Sequence, residues 1–190
     1  MKPTIENTKP VLSVNEWKFM TWLFIVTIVM LFASQTSAYL VRRAEGDWKE
    51  FEIPVIFYFS TAVLIISSVF MHLAYKAAKK DNFGSLKLFI SLCFGFGVAF
   101  LVMQYIGWQN LQSQGIFLKG NPAESFYYIL TGLHGFHLIT GLGVLAYSFW
   151  SVHTQRVHSK DMIQLEVSAT YWHFLDLLWV YLLVFLIYFR

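Results

Sequence analysis

The sequence predicts an all-α, polytopic membrane protein, a bundle of five transmembrane helices. Three observations carry that prediction. Hydrophobic residues make up 57% of the 190 positions and charged residues only 13%, where a soluble domain carries about a quarter charged. Too few charges remain to cover the outside of a water-soluble globule. The apolar residues also fall into five long blocks, and five crossings at about 20 residues each would use roughly 100 to 115 residues. That leaves short loops and no room for an extramembrane domain.

The segments follow in order. Residues 1–16 carry both charge signs and read as a cytoplasmic N-terminal segment. The first helix is expected over about 17–41. Its small-residue stretch Ala33-Ser34-Gln35-Thr36-Ser37-Ala38 resembles a cleavage region, but the block is long enough to span, so a retained helix is expected. The second runs over about 54–75, opened by Pro54, a residue suited to a first turn, and closed by Lys76, Lys79 and Lys80. The third covers about 86–108. Before the fourth, at about 125–150, Asn121-Pro122-Ala123-Glu124 reads as N-cap, N1 proline and N3 acid. The fifth is expected over about 168–189, with room to continue back towards Asp161.

Charge sets the orientation. The N-terminal end (Lys2, Lys9, Lys18), the second-to-third turn (Lys76, Lys79, Lys80, Lys87) and the fourth-to-fifth connection (Arg156, Lys160) hold nine Lys and Arg, against five on the opposite side. Basic residues favour the cytoplasmic side, so the N-terminus is expected inside and the C-terminus outside. The basic residues flank apolar blocks and do not form a nucleic-acid surface. A single cysteine, Cys93, excludes an internal disulfide, a Cys₄ zinc site and an iron–sulfur cluster held by this chain alone.

Polar groups inside a membrane are costly and are the first place to look for function. The fourth helix carries Thr131-Gly132-Leu133-His134-Gly135-Phe136-His137, with 131, 134 and 141 on one face and 137 close to it. Gly132 and Gly135 read as points of close helix approach. The fifth carries His173 and Asp176 at i, i+3, with Glu166 at its cytoplasmic end. Gln35 and Gln104 add polar groups on the first and third helices, while Ser60, Thr61, Ser67 and Ser68 read as packing positions. Trp172 and Trp179 fall away from the interfaces and should pack against protein.

The sharpest reading is a haem or metal site made of His134, His137 and His173. Depth argues against it. His173 lies roughly 8 Å and His137 roughly 20 Å from the cytoplasmic surface on the helical rise, an offset that metal–nitrogen bonds near 2 Å do not span. The plainer reading is a set of hydrogen-bonded groups within the bundle, and a proton relay or lipid-headgroup contact is the third. No catalytic set and no metal site are assigned from the residues alone.

Two motifs add a family resemblance. Leu130-Thr131-Gly132-Leu133-His134-Gly135-Phe136-His137 resembles the T-G-x-H-G-x-H signature of subunit III of haem–copper oxidases. Glu166-Val167-Ser168-Ala169-Thr170-Tyr171-Trp172-His173-Phe174-Leu175-Asp176-Leu177-Leu178-Trp179 resembles the terminal E-x-x-x-x-Y-W-H-F-x-D-x-x-W motif of the same family. Weaker support comes from Val29-Met30-Leu31-Phe32-Ala33, Ile66-Ser67-Ser68 and Gln104. Two departures stand out: Ile28 occupies the place of a buried acid found in many members, and Gly107-Trp108 replaces an E-Y pair.

The resemblance implies the short five-helix form of a cytochrome c oxidase subunit III, a non-redox core subunit of a bacterial terminal oxidase that stabilises the catalytic subunit and supports proton uptake in aerobic respiration. It implies no cofactor in this chain, haem and copper in partner subunits, and structural phospholipid. Its partners would be subunit I directly, subunit II and the other subunits, with a supercomplex containing a quinol:cytochrome c reductase as a further one. The location would be the bacterial inner membrane. His134, His137, Glu166, His173 and Asp176 match the motifs, and are assigned to polar contacts in the bundle and to lipid or subunit anchoring. Subunit III of a quinol oxidase and a nitric-oxide-reductase accessory protein are alternatives within the resemblance. A stand-alone haem or metal membrane protein and a small transporter are alternatives of another class.

Overall fold

The computed structural model describes residues 15–48, 51–154 and 162–189. Most of the N-terminal segment, residues 1–14, lies outside that range, as does Asp161. Five helices account for the fold: α1 (Glu16–Ala44), α2 (Ile56–Lys79), α3 (Phe83–Ser113), α4 (Pro122–His153) and α5 (Ile163–Tyr188). Each is long and apolar enough to cross a membrane, and the chain is a multi-pass membrane protein.

Most helix ends lie beyond the apolar blocks because capping, not hydropathy, decides where a helix stops. Asn15 accepts hydrogen bonds from the backbone N–H groups of Trp17 and Lys18, and Arg42 and Arg43 occupy the last turn of α1, where cations suit the helix dipole. Asn121 and Glu124 form a capping box, with Pro122 as the first residue of α4. α4 therefore starts three residues earlier than the apolar block. Pro54 precedes α2 rather than opening it: Phe57 N–H bonds back to its carbonyl in a turn, and the helix begins at Ile56. α5 begins at Ile163, which places Glu166 inside its first turn.

Asp81, with φ of 49°, turns the chain between α2 and α3. Asp tolerates this left-handed conformation better than most residues, and the tight reversal lays α2 and α3 side by side. Asn82 then caps α3 by accepting from the Ser85 N–H at 3.2 Å. α5 is the central helix, packed against α1, α2 and α4, while α3 bridges α2 and α4. The backbone of α1 approaches α4 and α5 but not α2. α1 and α2 thus stand apart, with α5 behind the gap.

The closest helix approaches are not at the motif glycines. A Cβ on Gly132 would sit 3.7 Å from Trp108, an ordinary contact, and one on Gly135 would meet nothing within 4 Å. Gly97 and Gly141 are tight positions against α5, and Gly107 is one against α2, where a Cβ would lie 2.6 Å from the Phe57 ring. A Cβ on Gly97 would lie 2.7 Å from the Trp172 ring, and one on Gly141 would lie 2.6 Å from Leu175 Cδ1. Both glycines make room for the same stretch of α5, and Trp172 is 1% exposed as a result. Trp179 is equally buried.

Candidate functional site

The polar residues expected on the last two helices separate into three environments. His134 lies at the centre of the bundle with no exposed surface. Its ring is tilted against Trp179 at 5.0 Å between centroids and meets Phe100 edge-on at 6.3 Å. Neither ring nitrogen has a hydrogen-bond partner. The aromatic rings hold it as a flat filler.

His137 faces another way. Its Nδ1 lies 2.8 Å from the Leu133 carbonyl in its own helix, and its ring meets Phe32 of α1. The neighbouring Thr140 and Tyr171 hydroxyls are 2.9 Å apart and tie α4 to α5. The two histidines of the α4 motif therefore serve different neighbours.

Glu166, His173 and Asp176 form the third environment, along the face of α5 towards α2. Steps of seven and three residues return to nearly the same side of a helix. The gap between α1 and α2 opens here as a cleft of about 340 Å³, lined among others by Lys18, Trp22, His72, Tyr75, Glu166 and His173. Glu166 pairs with Lys18 of α1 and accepts from the Tyr75 hydroxyl at 3.1 Å. Lys79 rests over the Tyr75 ring, 4.7 Å from its centroid. Deeper in, the His72 and His173 rings are 6.4 Å apart, and His173 Nδ1 is 2.6 Å from the Ser68 hydroxyl. Ser68 also neighbours the carboxyl of Asp176, which is buried with neither oxygen in a hydrogen bond.

The α2 serines and threonine are more than packing positions. Ser60 accepts from Gln104 Nε2 at 3.0 Å, and Thr61 accepts from the Trp179 indole at 2.9 Å. Ser67 donates to the Cys93 carbonyl and accepts from the Trp172 indole. Together with Ser68 they form the hydrogen-bonding strip that fastens α2 to α3 and α5. Periodicity held the missing signal: Ser68, His72 and Tyr75 lie at i, i+4, i+7 on one face of α2. Among the described residues, no group of three or more His, Cys, Asp or Glu side chains is placed to hold a metal ion. His134, His137 and His173 stand in the three separate surroundings just described.

Five spanning helices with polar side chains tied between them define a polytopic membrane protein of the helix-bundle class. The comparisons with known proteins agree in placing it within a respiratory complex. The family model described as cytochrome c oxidase subunit III matches residues 6–190, and the chain belongs to that family, subunit III of the haem–copper oxidases. It is 30% identical to the cytochrome bo(3) ubiquinol oxidase subunit 3 of Pseudomonas aeruginosa over 164 residues, covering 84% of this chain and 78% of that protein. It is 27% identical to the cytochrome c oxidase subunit 3 of Thermostichus vulcanus over 168 residues, covering 84% of this chain and 81% of the other. With the cytochrome c oxidase subunit 3 of Rhipicephalus sanguineus the identity is 30% over 136 residues, 72% of this chain and 51% of that one.

Proposed function

We propose that this chain is the non-redox subunit III of a bacterial cytochrome c oxidase, bracing the haem- and copper-bearing subunit I and supporting its proton uptake. The family match over residues 6–190 is the observation that carries this reading. In it the N-terminus is cytoplasmic, following the nine-to-five excess of basic residues, and the cleft beside Glu166 opens on that side of the inner membrane. Subunit II and a supercomplex with a quinol:cytochrome c reductase complete the partners.

The physical contribution of the chain is a stiff apolar wall. His134, His137, Glu166, His173 and Asp176 act within the bundle. His134 and Asp176 are enclosed by this chain's own helices, which leaves lipid and subunit contacts to exposed apolar residues such as Trp22, Phe24 and Met30 of α1. Structural phospholipid fits along that face. Purification in mild detergent is expected to recover the chain in equal amount with a haem–copper subunit I. Stable isolation from native membranes without any such subunit would overturn the reading.

A second reading has its own support in the similarity to a ubiquinol oxidase subunit 3. In that case the electron donor is a quinol. Sequencing the accompanying subunit II decides between them, because only a cytochrome c oxidase needs a copper-ligand motif there.

A further inference from the structure

The cleft between α1 and α2 leads towards a buried carboxyl that has no ion-pair partner among the described residues. We propose that Asp176 is a proton-exchanging group, served from this cleft through His173 and Ser68. Asp176 is 6% exposed, and among the described residues it takes part in neither ion pair. Both of its oxygens lack a hydrogen bond. A bare carboxylate so placed is expensive, whereas a carboxylic acid is tolerated inside an apolar bundle. Asp176 is therefore suited to hold a proton that reaches it from outside the bundle.

One line of groups connects Asp176 with the cleft. At the mouth stand Lys18, Glu166 and Tyr75, with exposed His72 on the cleft wall. The His173 ring also lines the cleft, and its Nδ1 lies 2.6 Å from the Ser68 hydroxyl. Ser68 neighbours both His173 and Asp176. From Glu166 to Asp176 the path climbs ten residues of α5, about 15 Å. The transfer balances within the line. His173 takes a proton from the cleft at Nε2, the Ser68 oxygen takes the proton of His173 Nδ1–H, and the Ser68 hydroxyl proton passes to an Asp176 oxygen, which leaves His173 neutral. Rotation of the hydroxyl then resets the link.

Other groups do not replace this route. From α3, Cys93 is the titratable side chain near Asp176, and its thiol is already in contact with Ser67 at 3.4 Å. α4 meets this turn of α5 at Gly141, against Leu175. Beyond Asp176, α5 continues with buried Leu178, Trp179 and Leu182, so the line ends there. Asp176 takes up and returns its proton on one side of the membrane, storing it rather than conducting it across.

Infrared spectroscopy of the chain, purified with whatever subunits accompany it, tests the proposal. On transfer from H₂O to D₂O, a carboxylic C=O band should shift in the wild type and be missing from Asp176→Asn. Ser68→Ala and His173→Phe should keep the band and slow its exchange at least tenfold, and Ser68→Thr should restore the rate. Absence of an Asp176-dependent band would overturn the proposal. So would equally fast exchange in Ser68→Ala, a variant that removes one oxygen and keeps the Thr61–Trp179 and Ser67–Trp172 bonds between α2 and α5. Subunit content of the same preparation reports separately on the oxidase reading, so failure of either is distinguishable.

Discussion

The two halves of α5 differ in sequence, the first carrying Gln164, Glu166, Ser168, Thr170, His173 and Asp176 and the second only aliphatic and aromatic residues, and they hold the bundle by different means. From Ile163 to Asp176 the helix faces the cleft, and its ties are polar: Glu166 to Lys18 and Tyr75, Ser168 to Ser148 at 2.7 Å, Trp172 to Ser67, His173 to Ser68. From Leu177 to Tyr188 the contact is mainly apolar, through buried Leu178, Trp179, Leu182, Leu183, Phe185 and Leu186. Two side-chain hydrogen bonds tie it, Trp179 to Thr61 and Tyr181 to Thr36. In a bilayer, apolar contact gains nothing from excluding water, so association relies on close packing and hydrogen bonds. The second half relies on shape, the first on partner groups. The cleft exists only beside the half that can tolerate polar atoms.

That contrast can be broken most sharply at Trp179. Trp179→Ala removes the ring that covers His134 and Phe100 and the donor to Thr61. A cost of about 3–5 kcal/mol is expected for a large aromatic cut back to Ala in a core. It should appear as the largest fall in thermal midpoint of the purified assembly. Gly97→Leu attacks the first half by shape instead, since a Cβ there already overlaps the Trp172 ring. Overpacking of this kind costs about 1–3 kcal/mol, read in the same melting experiment. If Gly97→Leu costs as much as Trp179→Ala, the first half relies on shape as fully as the second and the contrast fails.

Smaller effects separate the two core histidines. His173→Phe gives up the bond to Ser68 and is expected to cost about 1 kcal/mol. His134→Phe gives up no hydrogen bond and exchanges one flat ring for another, so its melting midpoint should stay close to wild type. A larger loss at His134 than at His173 would reverse the assignment of shape to one region and partner groups to the other. Smallest of all is Lys18→Gln. The Lys18–Glu166 pair is partly exposed, and such pairs contribute from nothing to about 1 kcal/mol and weaken with salt. Its effect should shrink further when the melt is repeated in high salt.

These regions were not equally legible in the sequence. Five helices followed from length and hydropathy, and the α4 capping box was readable because its residues are adjacent in the chain. The burial of Trp172 and Trp179 followed from their depth. The division of His134 from His137 was not readable, because helical spacing placed both on one face, while the rings of Trp179 and Phe32 that receive them come from other helices. Gly132 and Gly135 looked like the contact glycines, but tight sites lie at Gly97 and Gly141, set by where Trp172 and Leu175 of α5 land, and at Gly107, against Phe57 of α2. The cleft was hidden for a similar reason. Its walls belong to α1 and α2, neighbours in sequence that do not pack on each other.

The separation of α1 from α2 also constrains how the chain is made. The long-range ties of α1 reach to the far end of the polypeptide: Tyr39 donates to the Phe189 carbonyl, Tyr181 to Thr36, and Lys18 pairs with Glu166. At about 5–20 residues per second of synthesis, the first helix to emerge waits roughly 7 to 30 s for its neighbours in α5. Before α4 follows it has neither of its packing partners, while α2 and α3 can close their hairpin at once. A ribosome that stops before α4 would release a paired hairpin and a first helix with neither of its packing partners.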